Sequence, residues 1–247
     1  MIVPQSGTRD RPFTTVIFLD GQTLGCPNSL TVRPYRSYRT IVQKISQTGG
    51  TAFVLARPRE FDREDVVEKA LGVFWRHGYQ ATSVQELVDA TGLNRGSLYD
   101  TFGDKHGLFL EAVQHYRSNV TAQRLARLEQ PGPAKLRIAA FFKEVIEFSV
   151  GEGRLLGCLI TNSAIELAPH DRDTRLAVAA GMGTMEAAFR RILTGARKRG
   201  EISADKSVAD LARFLAATVN GLRVMAKVSP DRSALNSVVR IALRALD

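Results

Sequence analysis

The residues from Ser83 to Phe102, SVQELVDATGLNRGSLYDTF, leave the chain little choice of local structure. Val84, Leu87, Val88 and Thr91 recur at i, i+3, i+4 and i+7, the spacing of one buried helix face. Ser83 precedes that run and Glu86 lies three positions on, the capping-box arrangement in which hydroxyl and carboxylate satisfy one another's backbone amides. Gly92 ends the helix, because glycine enters the left-handed conformation without Cβ strain. Leu93 plugs the turn. Asn94 is placed to cap a second helix, Arg95 to Tyr99, whose exposed side carries Arg95, Ser97 and Tyr99. Two helices about a short glycine-containing turn form a helix-turn-helix, and its second helix is the one presented to DNA.

The same reading extends from Asp62 to the C-terminus. Asp62 opens a helix with Glu64 and Asp65 in its first turn, Val67, Ala70, Leu71 and Phe74 along its buried stripe, and Gly78 at its end. Asp104 caps a helix expected to run to about Arg127, and Pro131 to Pro133 break the chain. Further helices are predicted over Ala134–Val150, Leu155–Ala168 and Arg172–Lys198, then from Ser207 and from Pro230 onward. The fold class is therefore all-α: a three-helix head at 56–116 and a larger helical domain at 117–247. Residues 1–55 show no persistent helical period and are rich in Pro, Gly, Ser and Thr, the composition of a disordered extension. Two other readings stay open for them. They could form a basic arm that touches DNA. Alternatively, they are translated upstream sequence, if the native chain starts near Val54 or Leu55.

The net charge of +9 invites a nucleic-acid partner, but its distribution tempers that inference. Residues 1–55 carry +4 (six basic, two acidic), residues 56–106 carry −2 (seven and nine), and residues 107–247 carry +7 (twenty-one and fourteen). DNA binding must therefore rest on individually placed side chains. No apolar run approaches the roughly 18 residues of a membrane span, and no secretory signal is visible, so a cytoplasmic location is expected and no membrane partner. Cys26 and Cys158 stand far apart, without a CxxC or Cys/His cluster, and neither a metal nor a cofactor is expected. No nucleophile–base pair or phosphate loop suggests an enzyme, and no catalytic residue is assigned.

Residues 57–116 resemble the N-terminal domain of TetR-family transcriptional regulators. Ala70, Phe74, Gly78, Tyr79, Thr82, Leu87 and Gly92 carry the likeness, and the block GSLYDTFGDKHGLF is its most specific part. More loosely, GCLITNSAIELAPHD and the helices after it resemble the AcrR-type subgroup. The resemblance implies a homodimeric repressor on a palindromic double-stranded operator, released when a small-molecule effector binds the C-terminal domain and changes the spacing of the two heads. It also implies a phosphate-binding role for Lys105.

The candidate DNA-binding residues are Ser83, Val84, Asn94, Arg95, Gly96, Ser97, Tyr99, Phe102 and Lys105. Arg95 is the candidate for a bidentate guanine contact, and Gly96 allows close approach to the groove. Arg57 and Arg59 could reach the backbone or minor groove. Asp100 and Asp104 would repel phosphate and are expected to cap or face away. Val84, Leu87, Leu98 and Phe102 also read as core. For an effector pocket the candidates are Phe141, Phe142, Cys158, Asn162, Glu166, Met182 and Met185, with Ile146, Leu155, Leu159, Thr161 and Phe189 nearby; residues at such helical spacing also read as plain core. The last two helices have apolar faces suited to a four-helix dimer interface. Two alternatives remain: a redox- or electrophile-sensing regulator using Cys158, and a helical interaction protein that does not bind DNA.

Overall fold

In a computed structural model of the chain, residues 61–247 are described. The expectations for residues 1–55, and for Arg57 and Arg59, lie outside the described residues. Among the described residues all regular structure is helical. Helix α1 (Arg63–His77) is capped by Asp62, whose side chain accepts the Glu64 amide. Helices α2 (Val84–Thr91) and α3 (Arg95–Phe102) follow with the expected chemistry at their ends. Ser83 Oγ accepts the Glu86 amide at 3.1 Å while Glu86 Oε2 accepts the Ser83 amide at 2.7 Å. Gly92 sits at φ 75°, the left-handed conformation. Asn94 Oδ1 accepts the Ser97 amide at 2.8 Å.

Helix α4 (Lys105–His115) does not continue to Arg127 as one regular helix. A π turn, Tyr116–Thr121, intervenes before the short α5 (Ala122–Ala126) and a 3₁₀ turn, Arg127–Glu129. Tyr116 and Thr121 are both buried. At about 100° per residue a regular helix would set two residues five apart on different sides, and the wider turn removes that conflict.

The rest of the molecule is built from α6 (Ala134–Val150), α7 (Leu159–Glu166), α8 (Arg172–Lys198), α9 (Val208–Val228) and α10 (Arg232–Arg244). Helix α7 begins at Leu159, not at Leu155. Gly157 adopts φ 64° and Cys158 is extended, so the preceding segment is a run of turns and Leu155 is left exposed.

Two apolar cores result. The larger joins α6, α8, α9 and α10 around Phe142, Phe189, Leu193 and Leu215. The other is the core of the head, centred on Phe74, Leu87, Leu98 and Phe109, and it also takes in Cys158, Leu159, Ile160 and Leu167 from α7 and its approach, and Val178 from α8. No linker separates head from body at residue 116, because α7 belongs to the head's own core.

Candidate nucleic-acid interface and effector cavity

The head buries Leu98 and Phe102 of α3 and turns Asn94, Arg95, Gly96 and Tyr99 toward solvent, with Ser97 half-buried. A Cβ at Gly96 would stand 3.3 Å from Asn94 Oδ1, so a side chain there would crowd the cap as well as any groove. Asp104 caps α4, accepting the Gly107 amide at 2.7 Å. Two candidates sit differently from the expectation of a contact surface. Phe102 is buried, with the Arg63 guanidinium 4.6 Å over its ring, because it closes the head core. Val84 is half-buried at the first turn of α2.

Lys105 occupies an inward position. Its ammonium donates to the carbonyls of Tyr79 at 2.9 Å and Thr82 at 2.8 Å, and lies 4.3 Å from the Tyr79 ring centroid. Desolvation moves its pKa down, while Glu166 and Glu86 act in the opposite sense. Two of its three donors therefore hold the α1–α2 turn, and one is left for a phosphate.

The effector candidates separate into two groups. Phe141, Phe142 and Met185 are buried in the larger core, where Phe141 meets Phe189 edge-on at 5.6 Å and Phe142 stacks on Phe189 at 6.3 Å. They fill space and do not line the cavity described below. Met182 faces outward on α8, 37 % exposed. The plain-core reading fits Phe141, Phe142 and Met185, since aromatic rings at helical spacing satisfy one another.

Cys158, Asn162 and Glu166 do come together. They line a cavity of about 330 Å³ at the junction of head and body, with Thr161 beside them. Its far wall is Trp75 and Gly78 of the head, and its remaining wall is Arg223, Val224 and Lys227 of α9. Glu166 bridges the two sides: its carboxylate accepts the amides of Tyr79 at 3.1 Å and Gln80 at 2.7 Å. Gly78, at φ 82°, makes room for it, because a Cβ there would lie 2.8 Å from Glu166 Oε2. Trp75 Nε1 donates to the Gly157 carbonyl at 3.3 Å, and its ring packs edge-on against Tyr116 at 4.9 Å.

Burial pushes the Cys158 thiol up, but the Arg223 guanidinium and hydrogen bonds from Thr161 and Tyr116 outweigh it, and the net direction is down. Burial moves the Tyr116 hydroxyl strongly the other way, and the neighbouring Cys158 thiol adds to that shift. Trp75, Tyr116, Arg223 and Lys227 were absent from the sequence-based candidates. The only signal was Arg223 itself, an arginine set beside Val219, Leu222 and Ala226 on the apolar side of α9.

Two family profiles match this architecture. One, described as bacterial regulatory proteins of the tetR family, matches residues 66–112; the other, a tetracyclin repressor-like C-terminal domain, matches residues 134–242. The uncharacterized HTH-type transcriptional regulator YezE of Bacillus subtilis (strain 168) is 37% identical over 194 residues, spanning 78% of this chain and all of that protein. The chain belongs to the TetR family of transcriptional regulators. Another TetR-type relative, the repressor ComR of Escherichia coli (strain K12), is 29% identical over 76% of this chain and 90% of its own. Among solved structures, a cysteine mutant of the TetR family regulator CifR, complexed with 26-bp double-strand operator DNA, superposes with a TM-score of 0.69 at 34% identity. That match covers 77% of this chain and all of CifR. The TetR-family N-terminal match contains α2 and α3 whole, and the C-terminal match contains Cys158, Glu166 and Arg223.

Proposed function

We propose that this TetR-family chain is a homodimeric repressor that reads a palindromic operator through α3 and is released by a small molecule bound at the head–body junction. The observation that carries the reading is the exposed side of α3. A helix fixed by a capping box before it and an asparagine cap at its own start presents Asn94, Arg95, Gly96 and Tyr99 to solvent. Arg95 can take guanine O6 and N7 together, and Tyr99 and Ser97 can hold phosphates or base edges. The amides of Val84 and Gln85, at the start of α2, suit a phosphate. The operator complex of CifR supports a DNA partner for this chain.

Dimerisation is supported by an outward stripe on α9, Phe214, Ala217, Gly221 and Met225, and by the exposed Ile241 on α10. One eight-residue recognition helix reaches few base pairs. Two related by a twofold axis, about 34–36 Å apart, address a palindrome. A mobility-shift assay on DNA upstream of the protein's own gene tests the reading. A specific shift is expected at moderate salt; a folded dimer that gives no shift even at low salt would remove it.

The lowered Cys158 thiol favours one second reading, release by an oxidant or electrophile. A Cys158→Ser protein that still leaves DNA on peroxide treatment would dispose of it.

A further inference from the structure

The cavity at the head–body junction contains a buried cation. Arg223 is 5 % exposed and lines the cavity. Among the described residues no carboxylate forms an ion pair with it, and the Cys158 thiol, the Tyr116 hydroxyl and a second guanidinium, Arg124, feel its charge. Arg124 is itself held 4.0 Å over the Phe148 ring. Lys227 lines the same space, one helical turn further along α9, with its ammonium 3.4 Å from Asn162 Oδ1. Glu166 is the acidic residue in the wall, and both its oxygens are committed to the amides of Tyr79 and Gln80. Taking a guanidinium out of water without a counter-charge is costly, and an anion brought into the cavity offsets that cost. The planar fork of arginine matches a carboxylate in particular.

We infer that the cavity is the effector site and that its ligand is a small organic carboxylate. The acid group pairs with Arg223 and Lys227, and the apolar body lies against Trp75, Ile165 and Val224. The inference rests on the reading of the chain as an effector-responsive repressor. It also identifies how the ligand acts. Trp75 and Gly78 are part of the head, so a molecule held between them and α9 bears directly on the turn that leads into α2. The ligand needs a preference for one placement of that turn over the other to change operator affinity.

Trp75 is the chain's only tryptophan, so its fluorescence reports on the cavity alone. The full-length protein is titrated with benzoate and hexanoate, with their neutral amides, and with inorganic phosphate. The two carboxylates are expected to change the emission saturably. The amides and phosphate should do so at least about tenfold more weakly. Arg223→Gln should raise the half-saturating carboxylate concentration by about tenfold or more, and Lys227→Gln by several-fold. Lys227 is exposed, so its substitution keeps the test valid if Arg223→Gln fails to fold. No saturable response to either carboxylate, equal binding of the amides or of phosphate, or an unchanged response in the folded variants overturns the inference. Operator mobility shifts are run on the same samples. A normal shift with no carboxylate response rejects the ligand class alone, whereas no shift without any ligand rejects the repressor reading.

Discussion

At the residue scale the head separates exposed side chains from supporting ones. Arg95 stands in solvent on α3. Its replacement by alanine should cost about 1–3 kcal/mol of operator affinity and relax specificity at one base position of each half-site, as measured by competition binding on single-base operator variants. Lys105 is expected to behave differently. A lysine that only neutralises a phosphate would lower the slope of log affinity against log salt by about one when removed. Here the ammonium satisfies the Tyr79 and Thr82 carbonyls. Lys105→Ala should therefore lower the melting temperature of the free protein, by the equivalent of about 1–2 kcal/mol, before any DNA is added. Thermal denaturation of the unliganded variant checks this; an unchanged melting temperature with a reduced salt slope would return Lys105 to a pure phosphate role.

At the scale of elements, local chemistry was legible in the sequence and long-range assembly was not. The caps at Asp62, Ser83, Asn94 and Asp104 were readable because each is a side chain satisfying amides within three residues of itself. The start of α7 was misplaced because Leu155 and Leu156 carry an apolar signal that the left-handed Gly157 overrides. Cys158, Asn162 and Glu166 could be offered as pocket residues from helical spacing and polarity, but Trp75 and Arg223, which line the same cavity, come from α1 and α9, and no spacing rule connects those helices. The aromatic residues Phe141 and Phe142 have the composition of a ligand pocket and the packing of a core, a distinction made only by Phe189 arriving from α8.

The junction between elements also carries a pH response. Hydrogen bonding by Thr174, followed by the proximity of His106 and Arg175, holds the Asp171 carboxyl at the start of α8 below its ordinary range. A carboxyl with a lowered folded-state pKa contributes stability that is present above its unfolded pKa of about 4 and is lost as pH falls through the folded value. Asp171→Asn should accordingly reduce stability at neutral pH and flatten the fall in stability below about pH 4, as followed by urea unfolding at a series of pH values.

At the scale of the whole molecule, the account depends on two heads held at a fixed separation. Phe214 and Met225 of α9 and Ile241 of α10 are large and apolar, yet exposed at 43 %, 43 % and 58 % in a single chain. Burying such side chains is worth about 1.5–3 kcal/mol each, so a charge placed among them should disrupt the dimer. Ile241→Glu is expected to sediment as a monomer at micromolar concentration and to bind the operator far more weakly than the dimeric protein.

The central claim is that α3, through Arg95, reads a palindromic site. Its most direct measurement is the enrichment of genomic fragments by the purified protein, run in parallel with Arg95→Ala. The wild-type protein should select one palindromic motif with half-site centres about one helical turn apart, and Arg95→Ala should lose a base preference symmetrically in both halves. Failure of the folded dimer to enrich any motif, or recovery of the same motif at the same strength by Arg95→Ala, would contradict the account.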